Sequence, residues 1–291
     1  MTVDAANGMG GLTVPAVLGT EAGLADLPLT IDPMYFELDG TFPNHEANPL
    51  DPKNLVDLQE RVRSHGADIG IAFDGDADRC FVVDERGEPV SPSAITAMIA
   101  RREIDREVAA GRDAGEVAIV HNAITSAAVP QIIAEGGARP VRTRVGHSYV
   151  KAVMSDHDAV FGGEHSAHYY FREFWGADSG MLAAMHVLAA LGERERPLSE
   201  LTDAYERYAA SGEINSTVDD AAARTQAVLD AFGDRTEDID RLDGVTVSLA
   251  DSAWFNLRAS NTEPLLRLNV EARDDEGVKA IVDEALSVIR A

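Results

Sequence analysis

The sequence predicts an α/β protein: consecutive mixed-sheet α/β domains followed by a C-terminal α+β domain. Apolar runs of strand length alternate with helix-period stretches along most of the chain, the pattern that layered sheets and helices require. At 291 residues the chain exceeds what one hydrophobic core usually serves. Ser91, a helix-capping residue, opens a second segment, and the composition turns polar near Gly212, so domains are expected over residues 1–90, 91–209 and 210–291.

In the first domain a short strand runs into the glycine turn of Asn7, Gly8, Met9, Gly10 and Gly11. This turn lacks the third in-register glycine of a dinucleotide fingerprint and is expected to be a tight turn only. The first strand starts at the first residues, so nothing before the first turn is expected to complete that sheet edge or cover it with a helix. A loop rich in Pro and Asn follows over 39–52, then a helix over 54–64 stopped by Gly66, and paired strands over 69–73 and 80–83. The second domain reads as helix 94–104, strand 117–121, helix 126–135, strand 141–145, a polar loop over 162–168, and an apolar helical stretch over 181–191 that is far too short to span a membrane. The third reads as helix 221–232, strands 244–249, 254–257 and 265–272, and a last helix over 276–289.

Fifty acidic residues against 25 basic ones give a formal charge of −25, which opposes binding to nucleic acid or anionic membrane. The only cysteine, Cys80, has no internal partner for a disulfide, and Met1 is followed by no basic and apolar leader. Both features fit a cytoplasmic protein.

Three polar loops carry candidate chemistry. Asp74, Gly75, Asp76, Ala77, Asp78 and Arg79 lie between two apolar strands, so three carboxylates at alternate positions can converge on one hard cation such as Mg²⁺. An EF-hand would need Gly where Arg79 stands and a helix where residues 80–83 read as a strand. An aspartyl-nucleophile phosphatase, with Asp74 as nucleophile, is a second alternative. Arg258, Ala259, Ser260, Asn261, Thr262, Glu263 and Pro264 offer a guanidinium, two hydroxyls, an amide and loop N–H groups, a donor set suited to a phosphate. In the third loop, Glu164, Ser166 and His168 alternate, so in an extended segment they point one way and suit adjacent sugar hydroxyls. Zinc ligation by His165 and His168 lacks supporting cysteines, and a Ser-His-Glu relay is not expected from residues two apart on a strand. Arg142, Arg144 and His147, after a strand, either line an anion cleft or lie on a solvated edge.

In this order the three loops resemble the α-D-phosphohexomutase family of phosphomannomutases and phosphoglucomutases, along essentially the whole chain. Asp74–Arg79 resembles the family's Asp-Gly-Asp-x-Asp-Arg metal loop, residues 163–168 its Gly-Glu-x-Ser-Gly-His sugar loop, and residues 258–264 its Arg-x-Ser-Asn-Thr-Glu-Pro phosphate loop. The resemblance implies a phosphohexomutase-like fold and a Mg²⁺-dependent phosphotransferase acting on mannose or glucose 1- and 6-phosphates, with a hexose 1,6-bisphosphate as activator and intermediate. It further implies metal binding by Asp74, Asp76 and Asp78, a catalytic Arg79, and substrate contacts from His147, Glu164, Ser166, His168, Arg258, Ser260, Asn261 and Thr262. Two departures stand out. Ala167 replaces a glycine and adds a methyl that disfavours positive φ. The family's Thr-Ala-Ser-His-Asn-Pro loop, whose serine carries the transferable phosphate, is absent, so the chain reads as domains two to four. From this follows little or no turnover by the chain alone, completion by a separate N-terminal polypeptide, or a non-catalytic sugar-phosphate binding module.

Overall fold

The computed structural model describes residues 1–19, 27–260 and 263–291. Its strands form three five-stranded sheets. In the first, β1 (Thr2–Asp4) lies between β2 (Asp32–Met34) and β3 (Gly70–Phe73), both parallel to it, and the antiparallel strands β4 (Cys80–Val83) and β5 (Pro89–Val90) complete the order β2-β1-β3-β4-β5. The edge that the sequence left open is thus filled by β2. Three residues with a central Pro33 give little strand signal, and proline is tolerated there because an edge strand can spare an N–H. The glycine turn leads into α1 (Gly10–Leu18), and α2 (Val56–His65) ends at Gly66, which takes the left-handed φ of 62° required for its cap.

The second sheet has the order β10-β9-β8-β6-β7, from β6 (Ala118–Asn122), β7 (Arg139–Thr143), β8 (Phe161–Gly163), β9 (Tyr169–Phe171) and β10 (Ala177–Asp178). Strand β7 begins two residues earlier than predicted; it is an edge strand, so Pro140 lies inside it without breaking a ladder. The helices α3 (Pro92–Ala109), α4 (Ala128–Glu135) and α5 (His147–Asp156) cover it, α6 (Gly180–Gly192) packs on α3 and on β4 of the first sheet, and the short α7 (Leu198–Thr202) packs on α3. Ser91 caps α3 through its side chain, as the sequence predicts. One continuous apolar core joins these first two sheets, running from Val3 and Phe73 through Ile95 and Met98 to Phe161 and Leu198.

The third sheet is antiparallel, with the order β11-β15-β14-β13-β12, from β11 (Ala209–Thr217), β12 (Asp238–Asp240), β13 (Val245–Ser248), β14 (Trp254–Ala259) and β15 (Leu265–Ala272). Helices α8 (Ala221–Phe232) and α9 (Asp275–Ile289) pack on its apolar face, where Phe232, Phe255, Leu257, Leu268 and Ile281 form a separate core. Its other face is polar yet buried: Thr246, Asn256, Asn269 and Glu271 are all under 8% exposed. That face docks on the second sheet's domain. Among the described residues, no helix is long and apolar enough to cross a membrane.

Candidate active site

The acidic loop is the turn of the β3–β4 hairpin. Asp74 is buried and accepts from the Arg79 backbone N–H at 3.1 Å and from Arg79 Nε at 2.7 Å. Arg79 also donates to Asn48 Oδ1 at 3.1 Å, which ties the turn to the Pro- and Asn-rich loop. Carboxylate oxygens of Asp74, Asp76 and Asp78 all lie within 4.8 Å of one another. Asp78 Oδ1 is buried without a hydrogen-bond partner. Burial and the neighbouring charges of Asp74, Asp76 and Asp178 push the Asp78 carboxyl up to about 7. A hard cation relieves both the repulsion and the orphaned oxygen, so the residues present fit Mg²⁺. Both oxygens of Asp74 are engaged by Arg79, an arrangement that suits a fixed carboxylate better than a free nucleophile. The strand β4 that follows also excludes the exiting helix of an EF-hand.

Close backbone approaches hold this turn in place. The Met9 N–H donates to the Gly75 carbonyl at 2.9 Å, and a Cβ on Gly8 would meet that oxygen at 2.6 Å. A Cβ on Gly180, the first residue of α6, would meet the Arg79 carbonyl oxygen at 2.6 Å and that of Ala77 at 2.9 Å. The loop over 39–52 adds His45 against Asp4 at 2.9 Å and Asn44 against Asn7 at 2.7 Å. What the sequence marks as turn chemistry is a scaffold for the acidic turn.

Glu164, Ser166 and His168 occupy the tight turn between β8 and β9, not an extended segment. The Glu164 N–H donates to the His168 carbonyl at 3.0 Å and the Ala167 N–H to the Glu164 carbonyl at 3.1 Å. Ala167 nevertheless adopts φ 67° and is fully buried, so the packing around it imposes the left-handed conformation that its methyl opposes. The turn also brings Ser166 Oγ to 2.9 Å from His168 Nδ1, a contact that strand geometry does not give. Glu164 approaches the same nitrogen at 3.9 Å, whereas a relay needs acid and hydroxyl on opposite ring nitrogens. Glu164 is buried and accepts from Asn122 Nδ2 at 3.1 Å, the Gly146 N–H at 2.9 Å and Tyr170 Oη at 2.7 Å.

The acidic turn and the Glu164–His168 turn meet directly. Arg79 and His168 form a β-bridge, the Cys80 N–H donates to the Ala167 carbonyl at 3.4 Å, and His168 Nε2 lies 3.7 Å from Asp78 Oδ1. Asp178, which the sequence did not single out, places a carboxylate oxygen within 4.8 Å of the nearest Asp78 and His168 ligand atoms. Lys151 Nζ holds Asp178 at 2.9 Å. The signal available was the Asp-Ser pair before α6, which looks like ordinary helix capping, and Ser179 does cap α6.

The third loop joins through the turn at Val145 and Gly146. The Gly146 N–H reaches Glu164, while the Val145 N–H donates to Asp243 Oδ2 at 3.0 Å, and that oxygen lies 3.7 Å from Arg258 Nη1. Register places Arg258 of β14 opposite Arg267 of β15, so two guanidinium groups stand side by side where the sequence motif showed one. His147 opens α5 with an exposed side chain beside this turn. The Ser260 N–H donates to the Leu265 carbonyl at 2.8 Å, closing the β14–β15 turn. Asn261 and Thr262 lie outside the described residues. Arg142 and Arg144 serve the domain junction. Arg142 pairs with Asp240 and donates to Thr246 Oγ1 at 3.2 Å, and Arg144 donates to the Leu242 carbonyl at 2.9 Å. Glu271 crosses the same junction to accept from the Ala127 N–H at 2.8 Å, at the start of α4. His165 turns away from His168 to Ser93 Oγ at 3.1 Å, and burial lowers its pKa, opposed by the nearby charge of Glu213 from the third sheet.

Three five-stranded sheets with packed helices, carrying a carboxylate turn, a Glu-Ser-His turn and an arginine-bearing hairpin joined by a chain of direct contacts, define a class, and sequence comparison agrees with it. The chain matches the families described as "Phosphoglucomutase/phosphomannomutase, alpha/beta/alpha domain II" over residues 1–87, the corresponding domain III over 91–208 and the C-terminal domain over 213–288. The protein belongs to the phosphoglucomutase/phosphomannomutase family. It is 39% identical over 277 residues to a protein of Xanthomonas campestris pv. campestris named "Phosphohexose mutases", covering 94% of this chain and 58% of that one. It is 39% identical over 279 residues to a phosphomannomutase of Salmonella typhimurium, covering 94% of this chain and 59% of that one. The crystal structure of a phosphoglucomutase/phosphomannomutase family protein from Burkholderia thailandensis matches with a TM-score of 0.84 at 29% identity, over 99% of this chain and 60% of that one. The chain thus spans under two thirds of the length of these relatives.

Proposed function

We propose that this chain forms the substrate- and metal-binding part of a phosphohexomutase, which moves a phosphoryl group between positions 1 and 6 of mannose or glucose phosphate. One observation carries the reading: the metal turn touches the sugar turn through Asp78 and His168, and the sugar turn connects to Arg258 through Glu164, the Val145–Gly146 turn and Asp243. Asp74, Asp76 and Asp78 would hold Mg²⁺, which when bound neutralises charge developing on a transferring phosphoryl group. Arg79 fixes Asp74 and adds positive charge beside the metal turn. Glu164, Ser166 and His168 present a buried acceptor, a hydroxyl and an imidazole to sugar hydroxyls, with His147 at the rim. Arg258, Arg267, Ser260, Asn261 and Thr262 hold the phosphate that is not being transferred.

The phosphoryl donor in this scheme is a phosphoserine from outside these residues, in a separate N-terminal polypeptide or an adjoining region, with hexose 1,6-bisphosphate as activator. The chain alone then binds but turns over little. The lone buried Cys80 and the strongly acidic composition fit work in the cytoplasm. Calorimetry with glucose 1,6-bisphosphate and Mg²⁺ tests the reading. Binding by the wild-type chain that Arg258→Ala abolishes supports it; no heat with any hexose phosphate refutes it, and steady mutase turnover by the pure chain refutes the need for an external serine.

A further inference from the structure

Across β11, β15 and β14, one face carries Glu213, Arg267 and Arg258 as neighbours. Arg267 stands directly opposite Arg258, and Glu213, paired with Asn269, lies one diagonal step away on the same face. A register shift between Ala210 and Glu213, with Gly212 at φ 65°, aims Glu213 at the pair. Its two oxygens divide between the two guanidinium groups: Oε2 lies 3.4 Å from Arg258 Nη2 and Oε1 lies 3.4 Å from Arg267 Nη1. Neither contact is tight. The Nε atoms of both arginines are buried with no hydrogen-bond partner, so the fork holds unused donors beside a weakly seated carboxylate.

Two like charges directly across a strand pair repel, and an anion between them relieves that repulsion. A carboxylate bridging at 3.4 Å does this incompletely, and a phosphate, with more oxygens and more charge, does it better. We propose that Glu213 is a displaceable internal counter-anion: it occupies the Arg258–Arg267 fork while no ligand is bound and yields that place to a ligand phosphate, so it limits phosphate affinity and favours release. This rests on the reading of the Arg258 loop as a phosphate site. Glu213 is suited to leave, since it stands on the edge strand β11 with more than a quarter of its side chain open to solvent.

The test is titration of the full chain with inorganic phosphate, by calorimetry, for wild type, Glu213→Gln, Glu213→Asp and Arg258→Ala. Removing the competing charge while keeping the shape is expected to tighten phosphate binding on the order of tenfold in Glu213→Gln. Glu213→Asp, whose carboxylate is drawn back by one methylene, is expected to fall between. A carboxylate that merely braces the arginines predicts the opposite sign, because losing it would disorder the fork and weaken binding. Equal or weaker binding by Glu213→Gln, with binding in both proteins abolished by Arg258→Ala, overturns the role of Glu213 and leaves the phosphate site standing. No binding by any of the proteins, or binding that survives Arg258→Ala, overturns the phosphate site and this role with it. In the wild type, the Nε–H resonances of Arg258 and Arg267 should shift on saturation with phosphate, a readout independent of how the variants fold; unmoved resonances in a protein that binds phosphate overturn the exchange.

Discussion

Replacing Glu164 tests the junction between the loops, because this one carboxylate joins three elements. Oε1 accepts from Asn122 at the end of β6 and from the Gly146 N–H, and Oε2 accepts from Tyr170 on β9. Glu164→Ala orphans all three donors in a place where Glu164 is 2% exposed. Each unsatisfied buried donor costs about 1–3 kcal/mol. The Tyr170 hydroxyl and the Asn122 amide can turn toward other partners but the Gly146 N–H cannot, and losing a buried charge returns part of its desolvation cost, so the net loss is about 2–4 kcal/mol. Glu164→Gln keeps one oxygen for the two donors on Oε1 and sets its amide against a hydroxyl that can accept, so it costs about 1 kcal/mol. Urea unfolding followed by circular dichroism should therefore rank wild type above Gln above Ala. Equal costs for the two variants, or an alanine variant within about 0.5 kcal/mol of wild type, would refute the three-donor account.

Other perturbations reach the rest of the molecule. Arg142→Ala removes the contacts to Asp240, Thr246 and the Ala123 carbonyl and should speed proteolytic cleavage near residues 209–212 without changing the far-ultraviolet spectrum; unchanged cleavage would show the junction is held elsewhere. Gly180→Ala forces a methyl onto the carbonyls of Arg79 and Ala77, which should cost about 1–3 kcal/mol and weaken Mg²⁺ binding; normal Mg²⁺ affinity by titration would contradict this packing. His45 is raised from 6.5 to about 8, chiefly by its hydrogen bond to Asp4. Its folded pKa lies above the unfolded one, so the stabilisation is full below about pH 6.5 and fades as the pH rises through about 8. The stability gap between wild type and His45→Gln should narrow between about pH 6 and about pH 9, and a constant gap would contradict the pairing.

The sequence exposed what is local. The Asp-rich turn, the sugar turn and the arginine loop each lie between apolar strands whose alternation shows in the letters, and Ser91, Gly66 and the last two helices carry their own start and stop signals. Long-range pairing stayed hidden. Strand β2 is three residues with a proline, and its partner β1 lies about thirty residues away. The register that sets Arg267 beside Arg258, and the fold that brings Asp178 to His168, depend on contacts that no spacing rule expresses. Arg142 and Arg144, read as lining an anion cleft or lying on a solvated edge, do neither for the same reason: the third sheet's domain supplies their partners Asp240, Thr246 and Leu242. Ala167 shows tertiary packing overriding a backbone preference, since the turn holds a positive φ that the residue disfavours.

A metal held by Asp74, Asp76 and Asp78 and a hexose phosphate held through Arg258 are expected to share one connected site. Paramagnetic relaxation of phosphorus in bound glucose 1,6-bisphosphate, with Mn²⁺ replacing Mg²⁺, measures this most directly. One phosphorus signal should broaden strongly, and the effect should vanish in Asp76→Asn, which loses the ion, and in Arg258→Ala, which loses the sugar. A ligand that binds the Mn²⁺-loaded protein while both phosphorus signals stay sharp would contradict a shared site.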